Sequence, residues 1–214
     1  LAPAGDGKER IPEAAEVALG AGLGGFGALK VSGSGEESDN ATDSFAILGA
    51  AAEDIERATA IAESVAATRD FINTPPNLLY PETFAARAAE LAEAVGVTAE
   101  ILDDQALRDG GFGGIVGVGQ GSSRPPRIVV LSYAPRSKKV PHVALVGKGI
   151  TFDTGGISLK PAASMMTMKS DMAGAATVFA VVRAAAALDV PVKVTGWLAL
   201  AENMPSDTAI RPSD

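Results

Sequence analysis

From Ser44 to Ile72 the chain reads SFAILGAAAEDIERATAIAESVAATRDFI, rich in alanine with apolar residues returning at helical spacing. A long helix is predicted over most of it. The two successive prolines of NTPPN cannot continue that helix, and a domain boundary is placed there. The pattern then alternates. PETFAARAAELAEAV predicts a helix with Pro81 near its first turn, VTAEILD a strand, and DQALRDGG a short helix stopped by glycines. RIVVLSY and HVALVG are short β-rich runs that read as buried strands, with Lys148 just past the end of the second. SDMAGAATVFAVVRAAAALD is a helix apolar nearly all round, which predicts burial on several sides, and VPVKVTGWLAL is a further strand. Helices alternating with apolar strands predict an α/β domain, a largely parallel sheet with helices on both faces. Chemistry in such folds gathers at the carboxyl ends of the strands. Residues 1–45 carry only short apolar runs among glycine, serine and acids, and read as loop or as short strands joined by glycine turns.

Composition narrows the chemistry. The 214 residues allow one large domain or two small ones, and a 47% hydrophobic content supplies a core. No apolar run reaches membrane-spanning length, and LAPAGDGKER lacks the basic region and apolar core of a signal peptide. There are no cysteines, which excludes disulfides, thiolate metal sites and a cysteine nucleophile, and agrees with a cytoplasmic protein. With 26 acidic against 18 basic residues the net charge is −8, so a phosphate backbone is repelled on average and nucleic-acid binding is disfavoured. His142 is the one histidine. Metal or acid–base chemistry must therefore rest on carboxylates and lysines.

Three stretches invite a functional reading. GVGQGSS (residues 117–123) lacks the lysine of a phosphate loop, and RPPRIVV follows where a phosphate-binding helix should start. It reads as a glycine-rich connection, with a nucleotide-binding module as a distant rival. His142, between Pro141 and an apolar run, reads as a hydrogen-bonded structural residue. VALVGKGITFDTGGISLKP is different. Taken singly, Lys148 and Lys160 are solvated lysines and Asp153 caps a turn, but the segment around them is otherwise mostly glycine and apolar. Such glycines suit unusual backbone conformations or close approach to a bound group. Asp171, at the start of the apolar helix, is either an N-cap or a second carboxylate facing Asp153. Two carboxylates in a dry cleft repel unless a cation lies between them, and hard oxygen ligands suit magnesium, manganese or zinc.

VGKGITFDTGGISLKP, followed by MKSDMAGAA and ENMPSDTAIRPSD, resembles the leucine aminopeptidase (cytosol aminopeptidase) family of two-metal exopeptidases. The resemblance runs from RDFINTPPN to the last residue and includes GVGQGSSRPPR. It implies a mixed, largely parallel sheet flanked by helices in the catalytic portion, residues 70–214, after a partial amino-terminal α/β domain and linking helix over 1–69. It also implies a hydrolase with two divalent metal ions (Mn, Zn or Mg), peptide substrates, a homohexamer and no membrane. By resemblance Lys148 is a neutral lysine ligand, Asp153 bridges both metals, and Asp171 serves the tighter-binding one. Lys160 is the catalytic lysine that stays charged beside the scissile carbonyl, and Met168 lines the pocket for the substrate's first side chain, an apolar, leucine-type preference. A metal-activated water attacks, and the free amino terminus can bind a metal.

A further acidic motif resembling N-T-D-A-E-G-R is implied after AIRP, supplying an aspartate, a bridging glutamate and an arginine that holds bicarbonate; this chain stops at Asp214. Ala173 and Ser213 stand where the family pattern has glycine. The expectation is an incomplete version of a longer enzyme whose 214 residues are inactive alone. The alternative is a truncated or degenerate relative that acts as a binding or assembly protein.

Overall fold

The structure is a computed structural model that describes residues 14–25, 46–47, 49–137, 139–207 and 211–212. Helix α1 (Ala14–Gly24) packs on the long α2 (Ala52–Asn73), which is followed by α3 (Pro81–Glu93), β1 (Thr98–Leu102), α4 (Asp104–Asp109) and α5 (Gly113–Gly119). Then come β2 (Arg127–Tyr133), β3 (His142–Asp153), α6 (Ala162–Met165), a 3-10 turn (Met168–Ser170), α7 (Ala173–Ala187) and β4 (Lys193–Asn203). The helices fall close to the expected spans. Pro81 occupies the first turn of α3, Gly110 caps α4, and α2 stops at the first residue of NTPPN.

The strands order as β1-β2-β4-β3. The α/β class with a mixed sheet flanked by helices is what the chain adopts. Parallel pairing among the described strands is confined to β3 and β4, while β1–β2 and β2–β4 run antiparallel. Residues 134–141 join β2 to β3 with no helix among the described residues, and the two strands do not pair with each other. Because β3 and β4 are parallel, their carboxyl ends, Asp153 and Asn203, lie side by side as register partners.

One face of the sheet is covered by α3 and α7, with α2 behind them. Phe71 of α2 stacks on Phe84 of α3 at 4.4 Å and meets the edge of Phe179 of α7 at 5.3 Å, so three helices share one aromatic contact, and all three rings are fully buried. Residues Met168–Ala187 are long and apolar enough to cross a membrane by length and composition, contrary to the expectation that no run is. Here they form the turn and the core helix, with Ala175, Ala176, Phe179 and Val182 buried against sheet and neighbouring helices.

Several local expectations are corrected. Residues 14–24 are helical despite three glycines in the run (Gly20, Gly22, Gly24), because α1 gains packing on α2 that outweighs its weak propensity; Ala18 is buried there. The remainder of residues 1–45 lies outside the described residues. The GVG of GVGQGSS belongs to α5, a helix held against β4, and not to a loop. Lys148 lies within β3, whose pairing with β4 carries the strand on to Asp153. His142 is an exposed residue whose Nε2 is 2.9 Å from Thr195 Oγ1, in keeping with a structural role.

Candidate active site

Strand β3 can approach α7 closely because it carries glycine where the helix begins. A Cβ on Gly147 would lie 2.6 Å from Ala175 Cα and from Gly174 O. That contact brings the strand at Lys148 against the segment that carries Asp171. Lys148 Nζ lies 2.7 Å from Asp171 Oδ2, with the lysine largely exposed and the carboxylate mostly buried. The approach is outside hydrogen-bond geometry, so this buried oxygen has no hydrogen-bond donor. Asp171 is not the cap of α7. Met172 holds that position, and no side chain caps the helix. Of the two readings of Asp171, the cap is not what forms; its carboxylate pairs with Lys148.

Beyond Asp153 the chain turns through Gly155 at φ 88°, a conformation that favours glycine, and returns Lys160 to the strand end. Lys160 Nζ donates to Asp153 Oδ2 at 2.6 Å and to the Asp153 carbonyl at 3.2 Å. It also contacts Met168 Sδ at 3.1 Å. The other carboxylate oxygen, Asp153 Oδ1, accepts from Gly155 N at 2.9 Å and from Asn203 Nδ2 at 2.8 Å. Burial alone would raise the Asp153 carboxyl, but the Lys160 bond, the Gly155 and Asn203 donors and the lysine charge together hold it below the ordinary carboxylate value. The turn itself is less buried than its apolar composition suggests. Phe152 is fully buried, whereas Ile157 and Leu159 are exposed.

An open cavity of about 470 Å³ borders this end of the sheet, lined in part by Val146, Lys148, Ile150, Asp153 and Asn203 with Ile115 of α5. Lys148, Asp153, Lys160, Met168 and Asp171 are thus tied into two ion pairs and one sulfur contact on β3 and the segments that pack on it. The chemistry of these donors fits a divalent cation at Asp171, where a buried carboxylate oxygen without a hydrogen-bond donor stands beside the Lys148 amine, and Asp153 is a second carboxylate on the strand that carries Lys148. Among the described residues no group of three or more His, Cys, Asp or Glu side chains could hold a metal ion.

Two polar residues here escaped the sequence reading. Asn203 reaches Asp153, and its neighbour Glu202 is buried on a hub with Ser122, Arg124 and Arg211. Arg124 also donates to the Pro76 carbonyl at 2.9 Å and lies 4.4 Å from the Tyr80 ring, which ties the NTPPN segment to the end of β4. The signal was the Glu-Asn pair that ends the apolar run WLALAEN.

Residues 66–214 match the model of the cytosol aminopeptidase family, catalytic domain. The chain belongs to the cytosol aminopeptidase family. It is 68% identical over 160 residues to the probable cytosol aminopeptidase of Micrococcus luteus, covering 75% of this chain and 31% of that protein. Against the corresponding protein of Nocardia farcinica it is 60% identical over 158 residues, covering 74% of this chain and 31% of the relative. Among solved structures it resembles the cytosol aminopeptidase of Coxiella burnetii, with TM-score 0.77, 28% identity, and coverage of 94% of this chain and 42% of the other. The bottromycin maturation enzyme BotP in complex with Mn superposes with TM-score 0.73 at 38% identity, covering 94% of this chain and 42% of that one. The leucyl aminopeptidase of Trypanosoma brucei in complex with actinonin gives TM-score 0.68 at 40% identity, covering 72% of this chain and 30% of the other. The chain spans about a third of the length of the curated relatives it matches.

Proposed function

We propose that the protein carrying this chain is a metal-dependent aminopeptidase that releases amino-terminal residues from peptides. The observation that carries the reading is the pairing of Lys148 with Asp171 and of Lys160 with Asp153 beside the open end of the β3–β4 pair, in a chain of the cytosol aminopeptidase family. In this reading Lys148, Asp153 and Asp171 are ligands for divalent ions, manganese, zinc or magnesium. Bound there, such ions supply Lewis acidity and activation of water near neutral pH.

In this reading each of the chain's own groups has a role that its position supports. Asp153 turns Oδ2 to the Lys160 ammonium, while Gly155 and Asn203 occupy Oδ1. Lys160, held by Asp153, keeps a fixed ammonium at the strand end, where it stabilises negative charge developing on the carbonyl oxygen of the scissile bond. Met168, in contact with that ammonium, offers an apolar surface to the first side chain of the substrate, in keeping with a leucine-type preference. A bicarbonate base, a homohexamer and a cytoplasmic location belong to the same proposal and rest on family resemblance.

Two carboxylates and one lysine are a sparse ligand set. A polypeptide of these 214 residues alone is therefore expected to hold one ion weakly at most and to show no turnover. The test of the function uses the full-length protein and a leucine amide substrate, assayed before chelation, after it and after Mn2+ is restored. Hydrolysis lost and regained supports the reading. A folded full-length protein that binds no divalent ion and cleaves no leucine amide favours the binding or assembly role instead.

A further inference from the structure

We propose that Asn203 is a positioning residue: its amide fixes the plane of the Asp153 carboxylate and decides which oxygen that carboxylate offers to the reaction centre. The inference rests on the metal-dependent reading above and assigns a task to a residue outside its ligand set. Asn203 is the last residue of β4 and the register partner of Asp153, the last of β3. Its Nδ2 donates to Asp153 Oδ1 at 2.8 Å, where Gly155 N also donates at 2.9 Å. An ionised carboxylate oxygen has about two lone-pair sites. Two N–H donors therefore saturate Oδ1 and leave Oδ2 as the oxygen offered to the site, already facing the Lys160 ammonium at 2.6 Å.

A purely structural role for this side chain is a poor account of the geometry. Joining the two strand ends is the work of the Asn203 backbone, whose carbonyl accepts Thr154 N at 3.0 Å and Thr154 Oγ1 at 2.8 Å. The side chain is spare for that purpose. Its orientation is fixed on both sides: Asp153 Oδ1 requires a donor, and the amide oxygen lies over Gly156, where a Cβ would come to 2.9 Å. Gly156 itself is at φ 65°, so the turn gives the amide room in a conformation that other residues rarely adopt. Behind Asn203, the buried Glu202 anchors the strand end through Ser122, Arg124 and Arg211. The amide is thus mounted on a braced strand and aimed at one oxygen of one carboxylate. Partners of this kind orient the groups that touch a metal, and their loss costs roughly 10–100-fold in metal affinity or activity.

The test compares full-length wild type, Asn203→Ala and Asn203→Ser by Mn2+ titration calorimetry, by melting of the metal-free proteins, and by kcat and KM for a leucine amide. Serine is too short to reach Asp153 but keeps a polar group at the strand end, so it carries the test where the alanine variant does not fold. The expected result is Mn2+ affinity at least about 10-fold weaker, kcat lowered more than KM is changed, and metal-free melting close to wild type. A folded variant with wild-type Mn2+ affinity and kcat overturns the inference while leaving the metal reading intact. Absence of Mn2+ binding by the wild type overturns the metal reading, and this inference with it.

Discussion

Lys148 Nζ and Asp171 Oδ2 stand 2.7 Å apart although 23 positions separate the residues, and the pair exists only because β3 and α7 touch through glycine. Gly147→Ala places a methyl 2.6 Å from two backbone atoms, Ala175 Cα and Gly174 O, so the helix must retreat from the strand. A loss of about 1–3 kcal/mol is expected, the usual cost of overpacking. Chemical denaturation of the full-length protein measures it, and Mn2+ affinity should fall in parallel because the Lys148–Asp171 spacing widens. Unchanged stability would show that the contact yields without strain.

Glu202 is the second structural test. Its buried carboxylate receives Ser122, Arg124 and Arg211, so Glu202→Ala removes the acceptor on which all three converge. Breaking a buried ion pair from one side costs about 3–5 kcal/mol. Urea unfolding at neutral pH reads the loss. A change below about 1 kcal/mol would mean that the hub contributes little to holding the end of β4.

Much of this arrangement was legible, and the remainder was hidden for identifiable reasons. Lys148, Asp153 and Lys160 stood out because charge is costly in a segment otherwise made mostly of glycine and apolar residues. The β-rich runs marked β2, β3 and β4 as strands but did not fix their directions. Direction depends on how the connections run, and the link at 134–141 passes from β2 to β3 with no helix among its described residues. Helix α5 was hidden by three glycines in the quoted GVGQGSS stretch, and it forms where packing on β4 compensates for propensity. Asn203 was silent because a polar residue ending a strand is ordinary. Its partner Asp153 is 50 residues away and meets it only across the parallel pair.

Tyr133 supplies a pH test away from the site. Its hydroxyl is held by Asp189 Oδ1 at 3.1 Å and by the Val190 carbonyl at 3.0 Å. Burial, then the bond to Asp189 and its charge, push the phenol above its ordinary value. A group raised in the fold contributes stability that is fully present below the unfolded value, about 10, and lost as pH climbs through the folded one. Tyr133→Phe should therefore cost about 0.5–1.5 kcal/mol near pH 7, and the difference from wild type should shrink above about pH 10. Urea midpoints from pH 7 to 11 test the sign. A difference that grows with alkalinity contradicts it.

The division of labour between the two lysines is the centre of the account, and metal content measured beside kinetics tests it most directly. In the full-length protein, Lys148→Ala should lower both Mn2+ retention and rate, because it removes the proposed ligand beside Asp171. Lys160→Ala should keep its metal and lose kcat, because its charge acts on the transition state. Metal analysis of the two purified variants after identical dialysis, with kcat for a leucine amide, gives the answer. Retention by Lys160→Ala with loss from Lys148→Ala is the result predicted. Equal metal loss from both variants would contradict the assignment.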